Sequence, residues 1–200
     1  MKNLLIIVFA LLLFACGSGS STTEENKEEG VNGNSETVEN ASEEFSLSEN
    51  NHYQGLFNEL ACEKLSDTQV ASLLDIPADQ IKKSNSLDGY VRCGWGYYPE
   101  DRKAGKNISV KLYEDEYTTE QHFKGDIKQI QEGKWITQVD LDIPHVVLAT
   151  YRQDRGWLKV YISKKRMMEF QIGPTMQSSE EEQENLKSIA IIFAEAFITN

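Results

Sequence analysis

Carboxylates, imidazoles and thiols are the side chains of this 200-residue sequence that could carry chemistry. Glu114-Asp115-Glu116 sets three carboxylates side by side. Such groups can share a proton in general acid–base work or ligate calcium. The plainer expectation is a solvated strand exit whose charges favour the N-terminus of the next helix. His52, His122 and His145 show no metal-ligand spacing. His122 falls off the apolar stripe of its predicted helix and is expected exposed. His145 follows Pro144 and is expected as a core or edge histidine at a strand start. No Gly-x-Ser-x-Gly elbow, P-loop, dinucleotide glycine pattern or His-Glu-x-x-His occurs. Gly94-Trp95-Gly96 is no phosphate loop, because no helix follows it. The sequence therefore predicts a non-enzymatic protein without cofactor or metal.

The positioning elements begin with an address. Leu4 to Phe14 is a run of eleven apolar residues after a basic start. A bilayer span needs ~20, whereas eleven suits a secretory signal. Leu13-Phe14-Ala15-Cys16 resembles the lipobox of bacterial lipoproteins, in which signal peptidase II cuts before the cysteine. The resemblance implies residues 1–15 as signal peptide and Cys16 as the lipidated residue, with a diacylglyceryl thioether and often a further acyl chain. Two or three chains hold a domain on a membrane. Gly17 stands where an aspartate commonly retains a Gram-negative lipoprotein in the inner membrane, so outer-membrane or surface placement is open.

Residues 17–50 carry nine glutamates against one lysine and few large apolar residues. Such a chain cannot offset its ordering entropy by burial. With Cys16 it is expected as a disordered acidic tether with a reach of ~32 Å. The net charge of −12 rules against nucleic acid as a partner. Most of that charge sits in the tether.

Residues 51–200 are expected as a single globular domain. Ser66-Asp67-Thr68-Gln69 reads as a capping box that opens a helix. Ile76-Pro77 ends it, with a short turn through Ile81. Strands are expected over 90–98 and 107–113, paired as a hairpin. Thr118-Thr119-Glu120-Gln121 reads as a second capping box. Phe123, Ile127 and Ile130 mark the buried stripe of that helix, and Gly133 marks its stop. Strands follow over 145–151, 157–163 and 167–172, with a possible edge strand over 135–141. Ser178 or Ser179 caps a last helix that should cover the sheet. The expected class is α+β: a mainly antiparallel sheet of about five strands covered by two to three helices, with one disulfide.

With Cys16 lipidated, Cys62 and Cys93 remain, and an exported protein most often pairs two such cysteines. The bridge would pin the first helix to the sheet. Ala61-Cys62-Glu63-Lys64-Leu65-Ser66, the helix ending Leu73-Leu74, and Cys93-Gly94-Trp95 together resemble small bacterial lipoproteins of the DUF3558-like kind. That resemblance implies no activity.

Gly94 and Gly96 leave one face of their strand smooth. Most simply a helix packs there. Alternatively a partner backbone or flat ligand approaches between Tyr90 and Tyr98. Lys164, Lys165 and Arg166 form an expected basic hairpin tip that could meet an acidic partner or anionic headgroups. The expectation is a membrane-anchored envelope module that binds a protein or polymer. The alternatives are a small apolar-ligand carrier or sensor domain in the envelope and an unfamiliar hydrolase acting through Glu114, Asp115 or His122.

Overall fold

The computed structural model describes residues 45–87, 89–99, 105–173 and 179–200. Cys16, the signal-like segment, the tether to residue 44 and Ser178 lie outside the described residues.

Seven strands form one antiparallel sheet. They are β1 (Lys82–Ser86), β2 (Val91–Tyr97), β3 (Lys106–Glu114), β4 (Ile136–Gln138), β5 (Leu148–Arg152), β6 (Trp157–Tyr161) and β7 (Arg166–Gly173). Their order is β1-β2-β3-β7-β6-β5-β4. Two meanders therefore join where β3 pairs β7. Three helices complete the fold: α1 (Asp67–Leu74), α2 (Glu116–Gln131) and α3 (Glu180–Thr199).

The α+β class, the antiparallel sheet and the disulfide are as expected. The strand count is seven, not about five. β1 reads Lys-Lys-Ser-Asn-Ser and has no apolar residue to show a period of two. Polarity of this kind is what keeps an edge strand from pairing with another chain. β4, on the opposite edge, is only three residues long.

Cap chemistry starts the helices. The Ser66 hydroxyl accepts from the Gln69 amide, and the Gln69 side chain accepts from the Ser66 amide at 2.9 Å. Ser179 and Glu182 form the same box on α3. α2 starts earlier than the threonines suggest. Its cap is Asp115, whose carboxylate accepts from the Thr118 amide at 2.6 Å. Aspartate caps better than threonine and adds negative charge at the positive end of the helix.

One sheet face carries Cys93, Trp95, Val110, Leu112, Leu158, Val160 and Phe170 into the main core with α1 and α3. Phe193 of α3 meets Trp95 and Phe170 edge-on at 5.5 and 6.0 Å. The Cys62–Cys93 disulfide lies inside this core, both sulfurs being essentially inaccessible. Cys62 belongs to a 3-10 turn, Glu59–Glu63, so the bridge ties that turn to β2. A smaller cluster of Phe123, Leu148, Tyr161 and Met167 lies between α2 and the other face.

Phe45 and Leu47 pack on the smaller cluster. Ser48 accepts from the Lys164 amide at 3.1 Å, and the Asn50 amide donates to the Ile162 carbonyl at 2.7 Å. The last residues placed with the tether by composition are thus an arm docked on the domain. Alternation of Phe45 and Leu47 gives this short arm one apolar side.

Candidate functional site: the polar face of the sheet

Strand alternation sends Arg92, Gly94 and Gly96 to the face opposite Cys93 and Trp95. Strand register extends this face in rows. One row runs Ser84, Gly94, Ser109, Gln171, Trp157 across β1, β2, β3, β7 and β6. The next runs Arg92, Lys111, Glu169, Lys159, Thr150. α2 packs on β3, β4 and β7 and covers part of this face.

Beneath α2 lies a buried ionic cluster. Asp126 is 3% exposed and Lys159 is 6% exposed. Their charged atoms approach to 2.9 and 3.2 Å. The Tyr161 hydroxyl and the Thr150 hydroxyl each donate to Asp126 at 2.8 Å. A buried carboxylate is costly unless its lone pairs are filled, and here three side chains fill them. Burial, and next the Asp126 charge, push the Tyr161 phenol up. The Lys159 ammonium lies 3.3 Å from His122 Nδ1. An ammonium only donates, so Nδ1 accepts and the ring is neutral. Burial, and next Lys159, hold the His122 imidazole below its ordinary range. Contrary to expectation, His122 is therefore half-buried and joined to this network. Alongside, Lys111 pairs Glu169 at 3.2 Å, and Gln171 donates to Glu169 at 2.7 Å.

The carboxylates first considered for catalysis are dispersed. Glu114 binds Arg166 through Nε at 2.9 Å and through its terminal nitrogen at 2.8 Å. Asp115 caps α2, and Glu116 lies in the first turn. Among the described residues no group of three His, Cys, Asp or Glu is placed to hold a metal. His145 does not start a strand, since β5 begins at Leu148. It is exposed and stacks on His52, with ring centroids 3.6 Å apart.

The proposed partner surface is only partly assembled. A Cβ on Gly94 would come within 2.8 Å of Ser84 Oγ, and one on Gly96 within 2.8 Å of the Tyr98 ring. The expected helix is thus replaced by side chains of the sheet: Ser84 lies beside Gly94 and Tyr98 folds back over Gly96. Both glycines are buried and make room rather than contact. Lys82, Ser84, Arg92 and Tyr98 are what this end of the face exposes, with Tyr98 61% accessible. With Asn107 they line a shallow depression of about 220 Å³. Tyr90 stands at the other end of β2, where its ring meets Tyr113 at 5.0 Å. Eight residues of extended chain put it about 25 Å from Tyr98, so the two do not border one patch.

The basic tip is also taken apart. Arg166 opens β7 and is 7% exposed, bound to Glu114 and to the Asn50 carbonyl at 3.0 Å. Lys165 lies 3.6 Å from Glu49 of the arm. Lys164 lines a groove beside α2. The three residues are thus not a free cationic knob, because the arm and Glu114 engage two of them.

Asp126, Lys159, Glu169 and Lys111 escaped sequence reasoning. Their signal was present: Asp126 interrupts the Phe123–Ile127–Ile130 stripe, and Lys159 sits inside Leu158-Lys159-Val160. An acid on the apolar face of a helix and a lone base in an apolar strand suit one buried pair.

No family model matches the chain, and neither a curated protein nor a solved structure matches it.

Proposed function

We propose that this chain is a lipoprotein of the bacterial cell envelope, anchored through Cys16, that serves as a non-enzymatic binding module for an envelope protein or polymer. The observation that carries the reading is the part of the polar sheet face beyond α2. There Lys82, Ser84, Arg92 and Tyr98 stand exposed on a rigid, disulfide-braced scaffold. A flat surface that mixes an aromatic ring, cations and hydroxyls suits an extended polar partner more than a small substrate held for reaction. The buried disulfide suits an exported chain, and the lipobox-like Leu13-Phe14-Ala15-Cys16 supplies the anchor. The acids and bases that could drive catalysis already have structural partners: Asp126 with Lys159, Glu114 with Arg166, and Asp115 as a helix cap.

Photo-cross-linking in intact cells tests this. A photoreactive residue at position 98 should capture a defined envelope component, and the same residue at Thr68, exposed on α1, should not. Labelled palmitate should enter the chain through Cys16, and Cys16→Ser should abolish that labelling. Equal labelling from both positions would remove the case for this face. Absence of palmitate label from the unaltered chain, or label retained by Cys16→Ser, would remove the case for the anchor.

A further inference from the structure

A second candidate site lies on the far side of α2, where the N-terminal arm runs beside the helix. Phe45 and Leu47 form one wall of a groove, and Phe123 and Ile127 form the other. Its volume is about 410 Å³, within the range of small-molecule sites. The helical part of the lining runs from Glu120 to Gln131, which is about 16 Å along the axis.

The rim carries charge of one dominant sign. Lys124, Lys128 and Lys164 line the groove, against a single carboxylate, Glu120. Glu120 is bonded to Lys124 at 2.9 Å, and Lys128 lies 3.9 Å from Glu132 just outside the lining. Lys124 and Lys128 keep their side chains 68% and 75% exposed, so both ammoniums can reach a group at the groove mouth. Residues 51–200 as a whole hold 23 acidic side chains against 18 basic ones. A cationic rim on an acidic domain selects an anionic head, and apolar walls around about 410 Å³ take one medium-length tail.

We infer that this groove binds a free single-chain anionic amphiphile of the fatty-acid class, the tail between the Phe45–Leu47 arm and α2, the carboxylate at Lys124, Lys128 and Lys164. The site is separate from the open sheet face, so it stands or falls on its own. The arm supplies half the apolar wall and is itself held through Ser48 and Asn50. Binding therefore depends on the arm as well as on the helix.

The test is calorimetric titration of residues 17–200, which lack both the apolar run Leu4–Phe14 and the anchor and so need no competing detergent. The probe is laurate below its micelle concentration, with dodecyltrimethylammonium as the chain-matched cation. Laurate should bind once per chain, and the cation more weakly by about tenfold or more. Leu47→Asp should abolish laurate binding. Lys124→Glu with Lys128→Glu, on the exposed helix surface where folding is not at risk, should weaken laurate by about tenfold or more and favour the cation. Equal affinity for the two amphiphiles, absence of laurate binding, or laurate binding that neither variant changes would each overturn the inference. So would binding to phosphatidylglycerol vesicles that laurate fails to displace, since the occupant would then be a bilayer lipid.

Discussion

At the scale of single residues, the cluster under α2 shows how a charge is kept in a protein interior. Asp126 accepts from an ammonium and two hydroxyls, and Lys159 shares its protons between Asp126 and His122. His122 has a folded pKa below its ordinary 6.5, through burial first and Lys159 second. The unfolded chain therefore takes up a proton that the folded chain resists. The stabilisation is full above pH 6.5 and is lost as pH falls through the lowered folded value. His122→Gln should flatten the acid limb of a melting-temperature profile below about pH 6.5, while leaving the neutral region nearly level. An unchanged acid limb would place the titration elsewhere. Little of this was legible in the sequence. The periodicity of Phe123, Ile127 and Ile130 located the helix face, but periodicity carries no information about which strand lies beneath it. Lys159 becomes a partner for Asp126 only once β6 is set beside β7 and under α2.

At the scale of elements, legibility followed apolar pattern and cap chemistry. α1 stood out through Ser66/Gln69, and α3 through a cap at Ser178 or Ser179; the structure shows capping boxes at Ser66/Gln69 and at Ser179/Glu182. α2 was found but started at the wrong cap, because Asp115 outcompetes the downstream threonines. β1 was invisible, since Lys82 to Ser86 offers no apolar residue to alternate. Its place becomes clear only from Gly94 and Gly96, whose missing side chains admit Ser84 and Tyr98. The disulfide was legible because few other fates remained for Cys62 and Cys93. It links the 3-10 turn before α1 to β2 across a separation of 31 residues. Cys62→Ser with Cys93→Ser should lower unfolding free energy by about 3–4 kcal/mol, read from a denaturant midpoint. A loss under about 1 kcal/mol would mean that the turn is held by its packing alone.

At the scale of the whole molecule, the domain includes its arm. Arg166 donates to the Asn50 carbonyl and Phe45 and Leu47 cover the cluster around Tyr161 and Met167. Deleting residues 45–50 should therefore destabilise the domain by about 2–4 kcal/mol, from uncovered apolar surface and a buried guanidinium short of one acceptor. The melting temperature reads this directly, and an unshifted value would make the arm an ornament of the surface. The joint between the two meanders has a consequence for the order of assembly. β3 and β7 are the single pair of neighbours in the described sheet that are not consecutive in the chain. Every other strand pairing closes over a short connection or a tight turn, so within the sheet the long separations fall in one seam, where Glu114 and Arg166 meet across 52 residues. In the exported chain proposed above, delivered N-terminus first, β1 to β3 and both core cysteines would arrive together, well ahead of β7. The bridge can be oxidised while the second meander is still threading, and the late step is the docking of one finished half against the other.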